Sequence, residues 1–157
     1  MNQLNVERQT TLLGISLVNR AKTARRAGNR RIEAATDEIL ELAKMYAPMD
    51  EGNLEDSIKK EVSGSGVNGR NVYEVFIDEM AQGSNGAETV GKYALRMHES
   101  TYNLGKGSSE KDKQVGGNGY GYGGGGVVGR KFLTRAFDKV KVNLEKEVRK
   151  AIDRGLR

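Results

Sequence analysis

Apolar residues recur at helical spacing over residues 4–26, near the start of the chain. Four of them share one helical face at i, i+4, i+8 and i+11: Leu13, Leu17, Ala21 and Ala24. This spacing predicts an amphipathic helix. We expect the helix to end at Gly28, because glycine readily adopts the left-handed conformation found just past helix ends.

A second helix is predicted from about Asn29 to Tyr46. Its apolar stripe has a period of 3.6 residues and consists of Ile32, Ala35, Ile39, Leu42 and Tyr46. A proline disfavours the helical conformation in the residue before it. The helix should therefore end near Ala47, which precedes Pro48, the only proline in the chain.

Two segments after this helix favour β-strands. The stretch "NVYEVFIDEM" alternates, with Val72, Glu74 and Phe76 on one side and β-branched or aromatic residues also on the other. The stretch "IKKEV" is a weaker strand. The residues between the two segments favour a turn, and they predict a hairpin with a loose connection: Gly64, Gly66, Asn68 and Gly69.

Residues 103–129 are rich in glycine and read "NLGKGSSEKDKQVGGNGYGYGGGGVVG". Glycine loses more backbone entropy on ordering than any other residue, so the segment is predicted to be a mobile loop. It interrupts a single domain that spans residues 1–157. The preceding stretch "KYALRMHES" is ambiguous, because its apolar residues share a helical face but the segment is short.

The last part of the chain carries the clearest amphipathic pattern. A helix should start near Lys131, with a stripe formed by Leu133, Phe137, Val140, Leu144, Val148 and Ala151. The expected fold class is α+β, with two N-terminal helices, a small antiparallel sheet, a long Gly-rich loop and a C-terminal amphipathic helix. The helices should pack on one face of the sheet.

Composition limits the classes of protein and of site. Apolar residues make up 36% of the chain, which predicts a small core, and the absence of cysteine excludes disulfides and thiolate metal sites. No apolar run reaches the ~20 residues needed to span a bilayer, and the N-terminus lacks the layout of a signal peptide. We therefore expect a soluble product made in the cytoplasm, with no membrane partner.

The net charge of +5 is concentrated near the C-terminus. Residues 130–157 contain ten Lys or Arg and four Asp or Glu, and a smaller basic cluster lies in "NRAKTARRAGNRR". Such patches can bind phosphate or an acidic protein surface. A small basic nucleic-acid-binding protein is therefore one candidate, although no helix-turn-helix spacing or arginine-glycine repeat is present.

Enzymatic patterns are weak. His98, the only histidine, has no cysteine to pair with, and no serine lies in a G-x-S-x-G context. The stretch "GYGYGGGG" is not preceded by a strand of a βαβ unit, as a dinucleotide fingerprint requires. The sequence predicts neither an enzyme nor a cofactor, and a hydrolase that uses His98 is the weakest alternative.

The acidic stretch after Pro48 could suggest a calcium site. An EF-hand loop requires glycine at its sixth position, whereas "DEGNLEDSIKKE" has glycine at its third. A structural corner is favoured over a metal site. In this corner Gly52 supplies a positive φ, and Asn53 caps a short helical turn.

The order of three motifs resembles a family of tail-completion or neck proteins, found at the head–tail junction of long-tailed bacteriophages. The first motif is the corner "AKMYAPMDEGNLEDSI", whose matching residues are Ala47, Pro48, Asp50, Gly52, Leu54, Ser57 and Ile58. The later motifs match "KYALRMHES" and "GRKFLTRAF" at Tyr93, Ala94, Glu99, Phe132, Leu133 and Ala136. The chain departs from the family at Glu51, at Glu55, at "HEST" and in its long glycine-rich insertion.

The resemblance implies a non-enzymatic virion structural protein, a ring subunit that joins the head connector to the tail. The resemblance also implies that the chain associates with itself in a ring of six copies. The neighbouring head-closure and tail terminator or tube proteins are implied as further partners. Packaged DNA could lie near the ring without being read. Within this class, a tail terminator or a minor head protein is the alternative. The glycine-rich loop, with Tyr120 and Tyr122, is expected to order on an adjacent ring, and deletion of residues 105–126 is expected to leave a folded protein.

Overall fold

The structure is a computed structural model that describes residues 3–49, 51–66, 70–83 and 89–157. These residues contain five helices and one two-stranded antiparallel sheet, which confirms the α+β class. In chain order the elements are α1 (Gln3–Tyr46), α2 (Asn53–Ser57), β1 (Ile58–Gly66), β2 (Arg70–Ile77), α3 (Gly91–Glu99), α4 (Lys106–Gln114) and α5 (Phe132–Leu156). Within the described ranges, no helix is both long enough and apolar enough to span a membrane.

The N-terminal region is one continuous helix of 44 residues, α1, so the prediction of two helices was wrong. Gly28 is helical and buried, and Ile152 of α5 packs over it, with its Cγ1 3.2 Å from where a Gly28 Cβ would lie. A glycine in a helix interior costs only about 1 kcal/mol. Packing against α5 outweighs this cost, and the helix does not stop.

Helices α1 and α5 form an antiparallel pair. Near the end of α1, Tyr46 stacks under Arg135 of α5, and in the middle Arg31 forms an ion pair with Glu147. At the other end, Gly155 lies against the backbone of Ala24. Because α5 ends at Leu156, the residues of α1 before Ala24 extend past it.

The two strands form the predicted hairpin. Their register pairs Ile58 with Ile77 and Glu61 with Glu74, and a bulge lies between Val62 and Gly64. Gly64 has a φ of 139° there, a conformation that favours glycine. The connecting residues 67–69 lie outside the described residues. Ile58, Ile77 and their neighbours turn one face of the hairpin toward the core.

The core lies where the end of α1, the hairpin, α3 and the start of α5 meet. Its buried members are Ala43, Tyr46, Ala47, Leu54, Ile58, Val90, Ala94, Phe132 and Ala136. The ambiguous stretch "KYALRMHES" forms α3 and contributes Ala94 to this core. The core is small, as the composition predicted, and alanine fills much of it.

The glycine-rich segment is not a loop without secondary structure, so that prediction was wrong for its first part. Lys106–Gln114 forms α4, and Ser108 and Asp112 of this helix are buried. The Oγ of Ser108 accepts a hydrogen bond from the backbone N–H of Met49 at 2.8 Å and donates one to the Met49 carbonyl at 2.7 Å. The helix forms because the window "KGSSEKDKQ" has few glycines and is tied to the corner after α1.

Candidate functional site

The corner after α1 is a buried joint between helix and hairpin. Gly52 has a φ of 86°, as predicted, and precedes α2. Asn53 is the first helical residue and not its cap, so that prediction was wrong; no side chain caps this helix. Of the seven motif residues, Asp50 lies outside the described residues, Gly52 is partly exposed, and five are buried: Ala47, Pro48, Leu54, Ser57 and Ile58.

The two later motifs meet the corner in the same core. Ala94, Phe132 and Ala136 are buried there, and Tyr93 and Leu133 pack against it. Glu99 is exposed and is the last residue of α3. Hydrogen bonds from Lys131 and from His98 lower the pKa of its carboxylate.

Lys131 and His98 join the start of α5 to the end of α3. The backbone N–H of Lys131 donates to the carbonyl of His98 at 2.7 Å, and the His98 ring meets the ring of Phe132 edge-on at 4.9 Å. Its Nε2 is buried and has no hydrogen-bond partner among the described residues. The described part of the chain therefore contains no serine–histidine pair, and it contains no group of three or more carboxylates or imidazoles that could hold a metal ion.

A single carboxylate organises the glycine-rich segment. The side chain of Asp112, which is fully buried, accepts hydrogen bonds from the backbone N–H groups of Gly119, Val127 and Val128, at 2.7, 2.5 and 2.7 Å. Burial alone would raise the pKa of Asp112, but these hydrogen bonds, led by that of Val128, lower the pKa below its usual value. The ionised carboxylate thus holds three backbone positions of the segment together through hydrogen bonds.

The glycines next to Asp112 are required by space. A Cβ on Gly117 or on Gly126 would overlap the Asp112 carboxylate. At Gly121 the backbone has a φ of 76°, which favours glycine. The glycine content therefore lets the backbone approach a buried charge closely.

The neighbouring residue Lys111 ties the same helix to the corner. Its ammonium donates to the carbonyls of Lys44 and Ala47, at 2.7 and 2.8 Å, and forms an ion pair with Glu55 at 2.8 Å. Burial lowers the pKa of Lys111, and Glu55 partly offsets this effect. The cation satisfies carbonyls that the end of α1 leaves without helical partners.

Arg135 of α5 binds the glycine-rich segment. Its guanidinium lies 4.0 Å from the ring centroid of Tyr122 and 4.7 Å from that of Tyr46. It donates to the carbonyls of Val127 and Gly129 in the segment, at 2.6 and 3.2 Å, and to the carbonyl of Arg130 just after it, at 3.1 Å. Burial lowers the pKa of Arg135 below its usual value. The segment is thus fixed to both long helices.

These contacts hold the tip of the segment in a defined position. Tyr120 is 77% exposed at this tip, whereas Tyr122 is 43% exposed and its ring lies against Arg135. A cleft is lined by Tyr120 and by Tyr102, and the Tyr102 hydroxyl donates to the carbonyl of Met97 at 3.0 Å. Burial raises the pKa of Tyr102 to about 12, so this hydroxyl stays protonated at neutral pH. The exposed Tyr120 side chain is therefore carried by a part of the segment that hydrogen bonds hold in place.

The expectation that deletion of residues 105–126 leaves a folded protein does not fit this arrangement. The deletion would remove Lys111 and Asp112 themselves, the Gly119 N–H that Asp112 binds, and Tyr122, whose ring lies against Arg135. It would leave the carbonyls of Lys44 and Ala47 and the N–H groups of Val127 and Val128 without these partners. Arg135 would then be left beside the core without part of its partners. We expect the shortened chain to be destabilised.

Sequence reasoning missed Lys111, Asp112 and Arg135. The available signal was the placement of Lys111 and Asp112 in the one window of the glycine-rich segment that lacks glycine at alternate positions. Comparisons of the chain with family models, with curated proteins and with solved structures found no significant match.

Proposed function

We propose that the chain is a virion structural protein of a tailed bacteriophage, a tail-completion or neck ring subunit that joins the head connector to the tail. The observation that supports this most is the convergence of the three motifs. Their residues come from widely separated parts of the chain, and Ala47, Ala94 and Phe132, one from each motif, lie in one buried core.

The segment that carries Tyr120 supports a role in contact with a neighbouring protein. Tyrosine is enriched in protein interfaces because it buries a large area at a low cost in side-chain entropy. Asp112 and Arg135 hold the base of the segment, so less entropy is lost when the tip binds. This differs from a mobile loop that orders only on its partner.

The proposal is tested in the phage or prophage that encodes the chain. A stop codon early in the gene should yield full heads and separate tails in electron micrographs, and the wild-type gene supplied in trans should restore joined particles. Tails of abnormal length would instead favour a tail terminator, and defective heads would favour a minor head protein. Joined, infectious particles from the stop mutant would contradict the proposal.

The contact role of Tyr120 is tested by complementation of the same mutant. Tyr120→Ser should fold normally, because this side chain is largely exposed, but should restore few joined particles. Met80→Ser is the matched control, since Met80 is 79% exposed and does not belong to the glycine-rich segment. Equal restoration by both variants would rule out the role of Tyr120.

A second candidate, a nucleic-acid-binding protein, is favoured by one observation. The antiparallel pairing of α1 and α5 places two basic clusters that are distant in sequence at the same level of the helix pair, with Arg26 and Arg30 exposed on α1 and Lys150 and Arg154 exposed on α5. If this surface binds DNA, affinity should fall steeply between about 50 and 200 mM salt, because counterions are released on binding. Binding to duplex DNA that does not depend on salt, or no binding at all, would exclude this candidate.

A further inference from the structure

The N-terminal part of α1 carries apolar side chains that nothing in the described structure covers. We call residues 12–22 of α1 the arm. Its five large aliphatic side chains are all more than half exposed: Leu12, Leu13, Ile15, Leu17 and Val18. A helix that is apolar over most of its circumference is normally buried.

One side of the arm continues the face of α1 that packs on α5. This side, the glycine side, consists of Leu13, Gly14, Leu17 and Ala21. Two heptads further along the same helix, these positions become Ala27, Gly28, Arg31 and Ala35, which are all partly or fully buried. The glycine side is therefore the same packing face, beyond the point where α5 ends.

The contact between Ile152 and Gly28 shows what this face receives. Ile152 of α5 lies over Gly28, with its Cγ1 and Cδ1 at 3.2 and 3.5 Å from the position of a Gly28 Cβ. Gly14 offers the same seat, and no atom lies within 4 Å of the position of its Cβ. An uncovered glycine costs a helix stability, so a branched side chain from another helix is the occupant that Gly14 fits.

The other side of the arm supplies such a side chain. This side, the isoleucine side, consists of Leu12, Ile15 and Val18, with no small residue among them, and the exposed polar residues Asn19 and Lys22 follow at its C-terminal end. Along one edge, the two sides are separated by a polar stripe that consists of Ser16 and Arg20 and continues to Thr23, just beyond the arm. Large side chains facing small ones interdigitate, so an aliphatic side chain of the isoleucine side, such as Ile15, can fill the space over Gly14 on the glycine side, between Leu13 and Leu17.

We propose that the occupant is a second copy of this chain, and that the glycine side of one arm packs against the isoleucine side of the arm of its neighbour. Each arm then lies between two neighbours. Such a head-to-tail contact uses two different patches on every copy and closes into rings when the rotation permits. This inference rests on the proposed function in one respect: the arm contact is proposed to be the lateral contact between subunits of the ring.

Four full-length variants test the inference. Leu13→Glu with Leu17→Glu removes the glycine side, Leu12→Glu with Ile15→Glu removes the isoleucine side, and Ser16→Glu places the same charge in the polar stripe as a control. These side chains are exposed, so circular dichroism should show the fold of the body unchanged. The fourth variant, Gly14→Leu, fills the seat without adding charge.

Sedimentation velocity and native mass spectrometry give the readout. Wild type and Ser16→Glu should form oligomers larger than dimers, whereas each double variant and Gly14→Leu should weaken self-association by roughly 100-fold or more. An equimolar mixture of the two double variants should form a 1:1 heterodimer and nothing larger, because one intact side of each kind remains. A symmetric contact would instead let a double variant pair with itself.

Several outcomes would overturn the inference. They are a wild type that stays monomeric to millimolar concentration, double variants that form homodimers, a mixture that stays monomeric, or a control that dissociates as the double variants do. A wild type that is monomeric in solution and sediments with anionic vesicles would assign the arm to a membrane surface. If the purified protein is monomeric in solution but is found at the neck of virions, only the arm contact is refuted. If the purified protein is oligomeric in solution but is absent from virions, only the phage function is refuted.

Discussion

At the scale of single residues, the protein depends on two charged groups placed where few charges are found. Asp112 is fully buried and Arg135 is half-buried, and both bind the backbone of the glycine-rich segment. A buried charge is tolerated only when its hydrogen-bonding capacity is met. Backbone N–H groups satisfy Asp112, and carbonyls and two tyrosine rings satisfy Arg135.

Replacement of Asp112 by asparagine should lower the free energy of unfolding substantially, although the two side chains have nearly the same shape. Asp112→Asn removes the charge that three backbone N–H groups bind and adds a buried amide donor that they cannot accept. We expect a loss of about 2–3 kcal/mol in the free energy of unfolding, the usual range for hydrogen bonds to a charged group. Urea denaturation at pH 7 measures it, and Glu110→Gln, an exposed position on the same helix, is the control.

The same group predicts a pH dependence. The pKa of Asp112 is lowered in the folded state, so its contribution to stability is complete above the unfolded pKa of about 4. It is lost as the pH falls from there through the lowered pKa. The difference in unfolding free energy between wild type and Asp112→Asn should therefore narrow below about pH 4. A difference that stays constant down to pH 2 would contradict this assignment.

Arg135 should not tolerate lysine. The Arg135→Lys variant keeps the charge but loses the planar group that lies between Tyr122 and Tyr46 and reaches three carbonyls. We expect a loss of about 2 kcal/mol in unfolding free energy. Thermal unfolding followed by tyrosine fluorescence measures it, and Arg149→Lys, at an exposed i,i+4 pair, should change little.

At the scale of elements, the pattern of apolar residues predicted what depends on local periodicity. The hairpin and α5 were predicted within a few residues of their bounds. The break at Gly28 was wrong because a glycine at a helix end and a glycine at a helix crossing look alike in sequence, and only the position of Ile152 distinguishes them.

Helix α4 and the order around Asp112 were missed for a related reason. Backbone entropy argues against order in a glycine-rich segment, but one buried carboxylate with several N–H partners offsets it. That partnership joins residues up to 16 positions apart, which no periodic pattern reveals.

The crossing of α1 and α5 predicts a graded response to alanine. A Cβ on Gly155 would lie 2.5 Å from the Cα of Ala24, so Gly155→Ala must push the helices apart and should cost about 1–3 kcal/mol. A Cβ at Gly28 meets only the side chain of Ile152, at 3.2 Å from its Cγ1, and the gain in helix propensity of about 0.8–1 kcal/mol should leave Gly28→Ala close to neutral. Equal effects in urea denaturation would show that the helices do not cross as described.

At the scale of the whole molecule, the features divide into a body and two projecting parts. The body is a small core in which the three motifs meet. On one side the glycine-rich segment presents Tyr120, and at the other end of α1 the arm presents uncovered aliphatic side chains. A body with two separate apolar projections is suited to a subunit that contacts its own copies through one and a different neighbour through the other.

The most direct test of the phage neck function is the position of the chain in the particle. Antibody raised against this chain, coupled to gold and applied to a lysate of the encoding phage or prophage, should label particles where the head meets the tail. That result would also direct the next experiments to Tyr120 and to the arm. Unlabelled particles, with all of the signal in the soluble fraction, would contradict the account and favour nucleic-acid binding by the basic surface of α1 and α5.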